Sequence, residues 1–568
     1  MLSPIRLASY SLILLGLLRA FLAPSSSIMN SVQSSRPAHL NPMLSDVIWV
    51  PDNYSTIQQA VNAASSGDTI IVRAGLYYEN AKVNRTVTLL GEGFPVIDGS
   101  QSIGQWGDGC LGISADNVTV NGFVLQHTPP LKMSEIGLGL SGCGYANVSQ
   151  NVFRFSRGGI SMSTANHDHV ISDNLFEDLV GAGISCAGIN ITLSNNTVVS
   201  SGTGIAVHSP LNTLINNTLM NNEAYGIYLN AYLVTMKGNK MIGNLHNFMT
   251  VEMILPQLVN DIDTTNTVND KPVYYWINQS DREVPSDAGY VALINCTNIT
   301  VEDLNLNNNG QSVLIAYSSN CTVRDCSISN NEFGIFMSEA SNNTIHHNNL
   351  INNTFQVGNT DSWFGHFTLP PNTWTDGYPS GGNYWSSHVS NDTCSGMSQN
   401  ETGSDAVSDT AYVINENNTD NYPFMAPINV FNAGVWNSTL CKVHVVSNST
   451  VSNFQLNTTE QTLRFNVTGE AGLGFSRVTI PSPITQTLWQ NNWTVLVDNQ
   501  PPIEIRNWTD AGNAYIYFTY QCSEHQVTII PEFLSTTILS SALLLTPFIL
   551  IISKKRSSKR KTTTGNSC

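Results

Sequence analysis

SNNTVVSSGTGIAV (residues 194–207) and INNTLMNNEAYGIYL (residues 215–229) are two versions of one phrase. Working outward from them, Asn151, Asn174, Asn196, Asn217 and Asn239 recur at intervals of 23, 22, 21 and 22 residues, each with an apolar residue three positions earlier (Val148, Ile171, Leu193, Leu214 and Met236). Gly-Ile pairs begin at Gly159, Gly183, Gly204 and Gly226, and Met162, Cys186, Val207 and Leu229 each follow the glycine by three residues, which places them in one apolar column. Helical repeats need about 33 residues to hold two helices, whereas about 22 residues of short strands and turns make one coil of a parallel β-helix. Leucine-rich repeats share the length but require a Leu template, and these columns mix Val, Ile, Leu, Met, Phe and Cys. Stacked coils bring equivalent residues to about 4.8 Å, so each Asn amide can donate to one neighbour and accept from the other. Asn also tolerates the left-handed backbone of a tight turn, so the repeated asparagines are expected to be architectural.

A second periodic block covers residues 291–353, with Val301, Val323 and Ile345 in an apolar column, Asp303, Asp325 and His347 two positions on, and Asn308, Asn330 and Asn352 in another column. Between the blocks, residues 251–290 contain KPVYYWINQSDREVPSDAGY, which reads as an insertion or rim element whose Trp276 and Tyr290 pack on the flank of the stack. Upstream, Ser55 or Thr56 can cap a short helix with Ile57, Ala60, Val61 and Ala64 on one face, suited to covering the open end of the stack. Residues 356–430 lose the period, and residues 431–530 alternate in short runs such as LRFNVTG and WTVLVD at sandwich-like spacing. The expected fold is all-β: a parallel β-helix solenoid over 47–355 with an N-terminal capping helix, a closing region over 356–430, and a smaller β-sandwich-like domain over 431–530.

Charged residues make up 11% of the 568-residue chain against about 25% in ordinary soluble domains. The formal net charge of −17 excludes a nucleic-acid partner, since the one dense basic cluster is KKRSSKRK at the C-terminal end. Residues 1–24 read as a signal peptide or N-terminal anchor, and 533–552 as an uncharged run of 20 residues able to span a membrane ahead of a basic cytoplasmic tail over 553–568. This places residues 47–530 on the cell surface as a single-pass protein whose β domain is membrane-proximal. Sequons such as Asn84, Asn117, Asn190, Asn295, Asn320, Asn437, Asn466 and Asn507 agree with an exterior location. The cysteines show no CxxC pair, which argues against zinc or redox chemistry; Cys321 with Cys326 or Cys296, and Cys441 with Cys522, are the candidate disulfides.

IWVPDNYSTIQQAVNAASSGDTIIVRAGLYYEN (residues 48–80) resembles the opening of the pectin-lyase-like right-handed β-helix proteins. The NNT and GI repeats, KPVYYWINQSDREVPSDAGYVALINCTNITVEDLNL, GGNYWSSH and TDNYPFMAP resemble the NosD-like group of that class, over roughly residues 47–427. The resemblance implies the fold; for activity it spans polysaccharide lyases, hydrolases, epimerases, adhesins and a copper-site maturation protein. Relatives carry a Gly-rich acidic loop suited to Ca²⁺ between the closing motifs, of which this chain keeps only Asp405 and Asp409.

Sugar cleavage would use paired outward carboxylates, for which Asp303 with Asp325, Asp168 and Asp173, and Glu177 with Asp178 are the candidates. Copper would use imidazoles: His167, His169 and His208 on neighbouring coils, or His346 with His347. Cys186 lies in the apolar core column and is set aside as a ligand. The reading with fewest assumptions is a rigid surface rod that needs no cofactor and presents its faces to polysaccharides or surface glycoproteins. A polysaccharide lyase or hydrolase is the second reading, and copper binding the third.

Overall fold

The computed structural model describes residues 46–101, 109–127, 136–251, 254–365 and 367–532. Residues 1–24, 533–552 and 553–568, expected to hold the signal, membrane span and basic tail, lie outside the described residues. The described residues belong to one compact unit.

Three parallel sheets run along the first part of this unit, in a β-solenoid. Their registers follow the period: Val148, Ile171, Leu193, Leu214 and Met236 are paired in sequence. So are Ile160, Ile184, Ile205, Ile227 and Phe248 in a second sheet, and Phe153, Phe176, Val198, Leu219 and Met241 in a third. All of these side chains are buried in one continuous core. The Gly-Ile pairs are needed because coils touch there: a Cβ on Gly204 would stand 2.3 Å from the carbonyl oxygen of Gly226.

The asparagines form the expected ladder. Asn151 Nδ2 donates to Asn174 Oδ1 (3.1 Å), Asn174 to Asn196 (3.1 Å), Asn196 to Asn217 (3.1 Å), Asn217 to Asn239 (2.9 Å) and Asn239 to Asn266 (2.8 Å). The left-handed turn, however, belongs to the preceding residue: Gln150, Asp173, Asn195, Asn216 and Gly238 have positive φ, and the ladder residues do not. The doublet NN thus divides two jobs, with the first Asn turning the backbone on the surface and the second satisfying buried polar groups. The same shift corrects the second block, where Asn308, Asn330 and Asn352 are the turn residues and Asn309, Asn331 and Asn353 lie buried behind them. Near the start, helix Ile57–Ala63 buries Ile57, Ala60 and Val61, and Thr56 accepts from Gln59 N. Glu79, in the loop after strand Leu76–Tyr77, accepts from Ile57 N (2.9 Å) and Gln58 N (3.0 Å).

Residues 251–290 are not a simple insertion. Strand Lys271–Ile277 turns back antiparallel on Thr267–Val268 and then pairs in parallel with Tyr290–Ile294, so the stack continues through it. Tyr290 is fully buried rather than on the flank, and Trp276 is partly buried under Arg282, whose guanidinium carbon lies 4.5 Å from the ring centroid. Strands Tyr290–Ile294, Gln311–Ala316 and Phe333–Ser338 are buried at every position. Ala292, Ile294, Leu314 and Ala316 join the first core, while Val291, Leu293, Val313 and Ile315 join a second. A parallel sheet covered on both faces reads as an unbroken apolar run instead of an alternation.

Residues 428–531 form antiparallel sheets of five and four strands around their own core. They are not a detached domain: the buried guanidinium of Arg477 donates to the carbonyls of Asp405 (2.6 Å) and Pro379 in the closing region, and Asn349 exchanges two hydrogen bonds of 2.8 Å with Ile428. The expected disulfides are also absent. All nine cysteines among the described residues are free, and Cys296, Cys321 and Cys326 donate to backbone carbonyls inside the core.

Candidate metal centre

Each coil of the second stack leaves a strand through one left-handed residue, at Asp303 (φ 59°), Asp325 (φ 57°) and His347 (φ 56°). The registers Val301 to Val323 to Ile345 keep these turns directly above one another. A strand of the antiparallel region, Thr439–Ser447 (TLCKVHVVS), packs across this column. Strand alternation directs Cys441, Val443 and Val445 into their own core. Lys442 and His444 therefore face the other way, onto the turn column.

Lys442 Nζ lies 2.8 Å from Asp303 Oδ2, 3.1 Å from Asp325 Oδ2 and 3.6 Å from Glu302 Oε2, and Arg324 Nε reaches Glu302 at 2.6 Å. The Asp325 side chain is only 5% exposed. One of its oxygens is thereby held by the ammonium. The other, Oδ1, stands 3.2 Å from His444 Nε2 without hydrogen-bond geometry, and neither atom has another hydrogen-bond partner. Burial pushes the Asp325 carboxyl up, but His444, Lys442 and His347 outweigh it and hold it well below the usual carboxylate range. Burial draws the Lys442 ammonium down, and Asp303 and Asp325 more than offset this.

His347 is buried, with its ring centroid 5.2 Å from that of His444. Burial first, then the neighbouring His444 and His346, holds its pKa well below the ordinary value, so the ring is neutral at pH 7. Nε2 sits 3.1 Å from the Ser380 carbonyl oxygen, which can only accept; Nε2 is thus the protonated nitrogen and Nδ1 carries the lone pair. A histidine whose second nitrogen donates to a carbonyl is the usual arrangement of a metal ligand. Among the described residues, two groups of three ligand-type side chains have their donor atoms within 4.8 Å of one another: Asp325, His347 and His444, and His346, His347 and Asp376.

The structure thus brings together Asp303, Asp325, His346 and His347 from the expected residues. It keeps the others apart. His167 pairs with Asp168 at 2.8 Å on the surface. His169 is a core residue whose Nδ1 accepts from Ala146 N (3.0 Å), and burial pushes it down to about 4. His208 lies beside Tyr228, and Asp173 accepts from Asn195 at an exposed turn. Glu177 and Asp178 fall in no ligand group among the described residues. In the acidic loop, Asp405 accepts from Val407 N, and Asp409 from Thr393 N and Cys394 N. Those carboxylates already serve as internal acceptors. The sequence reading missed Lys442, His444 and Asp376; the alternation in CKVHVV was the available signal, since it sets a Lys and a His on one face.

A family model described as periplasmic copper-binding protein (NosD) matches residues 61–272 and 281–390. The chain belongs to the NosD family. The NosD description places the family in the periplasm, and this corrects the expected position as a single-pass cell-surface protein. Among the described residues no helix is long and apolar enough to cross a membrane. No curated protein matches the chain. Solved structures with a similar chain path include the A-module of a mannuronan C-5 epimerase from Azotobacter vinelandii (12% identity, 56% of this chain and 92% of that one, TM-score 0.32). Others are the catalytic unit of an α-1,3-glucanase from Streptomyces thermodiastaticus (16% identity, 60% and 72%, TM-score 0.36) and the tailspike of E. coli bacteriophage HK620 (9% identity, 84% and 89%, TM-score 0.35).

The NosD description implies copper, and the donor set fits it. Two imidazoles and a carboxylate suit Cu(II), which heads the affinity order of divalent first-row metals at such sites. Asp325 Oδ1 and His444 Nε2 face each other at 3.2 Å as buried atoms without a hydrogen-bond partner, a gap in satisfaction that a bound cation would fill.

Proposed function

We propose that this chain is a periplasmic copper-binding protein that holds the ion with Asp325, His347 and His444. The observation that carries the reading is the convergence of three donor atoms within 4.8 Å, from two consecutive solenoid turns and a strand about a hundred residues further on. Lys442 balances the remaining carboxylate oxygens, and the Ser380 carbonyl fixes the tautomer of His347. Bound copper supplies a redox-active ion that can be carried or transferred; the protein supplies a mostly buried, preformed set of donors. Titrating the tag-free chain with Cu(II) tests this. His347→Ala and His444→Ala are each expected to weaken binding by about 100-fold, the upper end of what even outer-shell changes do. A loss below threefold in both variants would sink the reading.

A second reading, carbohydrate binding, is favoured by a groove of about 400 Å³ along the outer face of the second sheet, floored by Gly112, Gly139 and Ser161. Tyr228 continues that column through Ser185 and Ala206. Affinity electrophoresis in uronate-containing and neutral polysaccharides should show retardation reduced by Ser161→Trp; migration unchanged in every gel would remove it. Catalysis by Asp303 and Asp325 gains no support, because both carboxylates are committed to Lys442.

A further inference from the structure

We infer that His346 and Asp376 form an outer metal subsite, sharing His347 with the inner donor set, at which copper is first captured before passing inward. The inference rests on the copper reading above. His346 ends strand Thr344–His346, and the left-handed backbone of His347 breaks strand alternation, so two consecutive imidazoles lie side by side instead of pointing to opposite faces. Their centroids are 4.6 Å apart, edge to face. His346 is 8% exposed, and its Nδ1 is buried with no hydrogen-bond partner. A buried ring nitrogen without a partner is costly, and its presence beside a second imidazole and a carboxylate calls for an occupant.

Asp376 supplies that carboxylate from solvent. It opens a turn closed by Asp376 N donating to Gly381 O (2.9 Å), and Ser380 Oγ donates to its Oδ2 (2.7 Å), leaving Oδ1 free. The same turn carries the Ser380 carbonyl that accepts from His347. One short loop therefore positions the outer carboxylate and fixes the tautomer of the shared ligand.

The two sets differ in depth. Asp376 is exposed, whereas the Asp325 side chain is 5% exposed. A neutral imidazole carries one lone pair, so the shared His347 ring serves one ion at a time. The chain accordingly holds one ion, exchanging His346 and Asp376 for Asp325 and His444 while His347 stays bound, with no change of oxidation state.

Stopped-flow loading of the tag-free chain with Cu(II), read by its visible absorption, together with equilibrium titration and elemental analysis, tests this. Expected are one Cu per chain, loading slowed about tenfold in His346→Gln and in Asp376→Asn with equilibrium affinity changed less than threefold, and residual weaker binding with an altered spectrum in His444→Ala. Asp376→Asn lies on the surface and tests the idea even if His346→Gln folds poorly. Loading at the wild-type rate in Asp376→Asn, or two Cu per chain falling to one in His346→Gln, would overturn the shared-ligand relay while leaving the inner site intact. A wild-type chain that binds no Cu(II), or binds it unaffected by His444→Ala, would instead overturn the copper reading itself.

Discussion

Replacing Lys442 with Met keeps the bulk of the side chain and removes its ammonium, which tests whether the antiparallel region is held to the solenoid by charge. In the native chain the ammonium lies 2.8, 3.1 and 3.6 Å from carboxylates of Asp303, Asp325 and Glu302. Asp303 is 44% exposed, so water will screen it and its share is small. Glu302 keeps Arg324 at 2.6 Å. The loss therefore falls on Asp325, 5% exposed, which would retain only His444 at 3.2 Å. Breaking a buried pair by removing one partner costs about 3–5 kcal/mol, and the surviving His444 contact brings the expectation to about 3 kcal/mol. Urea denaturation followed by fluorescence gives the loss, and amide exchange should rise first in strand Thr439–Ser447. Asp325→Asn in the same background should recover about 2 kcal/mol, because the stranded charge is then gone. If Lys442→Met costs less than about 1 kcal/mol, or Asp325→Asn adds to the loss, the reasoning fails.

The ladder makes a paired prediction. Asn196→Ala strands Asn174 N–H and Ile171 C=O along with the amides above and below, for about 4 kcal/mol by denaturation, while the neighbouring Asn195→Gly, exposed and left-handed, should stay within about 0.5 kcal/mol; equal effects would refute the division of labour in NN. Gly204→Ala should cost about 3 kcal/mol or prevent folding, whereas Gly112→Ala, with nothing within 4 Å of its Cβ position, should be neutral in the same melt. Burial pushes Asp392 up to about 7 despite N–H donation from Asp405 and Ala406. The folded state thus binds this proton more tightly than the unfolded one, so its stabilisation is full below the ordinary carboxylate range and disappears as pH rises to about 7. The thermal midpoint should fall more steeply between those limits in the native chain than in Asp392→Asn, and parallel curves would count against the shift.

The parts of this molecule that were legible in its sequence are those in which each coil repeats the constraint of the last. A buried column must stay apolar through every turn, so Val148 through Met236 could be placed before any coordinate was known. The same logic located Asp303, Asp325 and His347 on one edge, and two of them are among the three donors of the proposed site. It failed where the neighbour is not the next coil. Tyr290–Ile294 and its successors serve two cores at once, so their apolar runs carry no alternation from which the second core could be read. Lys442 meets Asp325 across a separation of 117 residues, joining a periodic element to a non-periodic one, and no spacing rule connects them.

That failure bears on how the site works. Asp303, Asp325 and His347 are supplied by the rigid solenoid, and their relative positions follow from coil spacing alone. His444 and Lys442 arrive only when Thr439–Ser447 packs against the turns. The inner donor set is therefore complete only in the docked arrangement, and the docking is itself favoured by the Lys442 contacts and by Arg477 beneath Asp405. An ion held between Asp325 and His444 adds a further bond across the same interface. By linkage, anything that binds only the docked form stabilises it, so Cu(II) should protect strand Thr439–Ser447 from amide exchange far more than the distant strand Thr192–Ser194. Uniform protection of both strands, or none, would mean that the ion does not bridge the two parts.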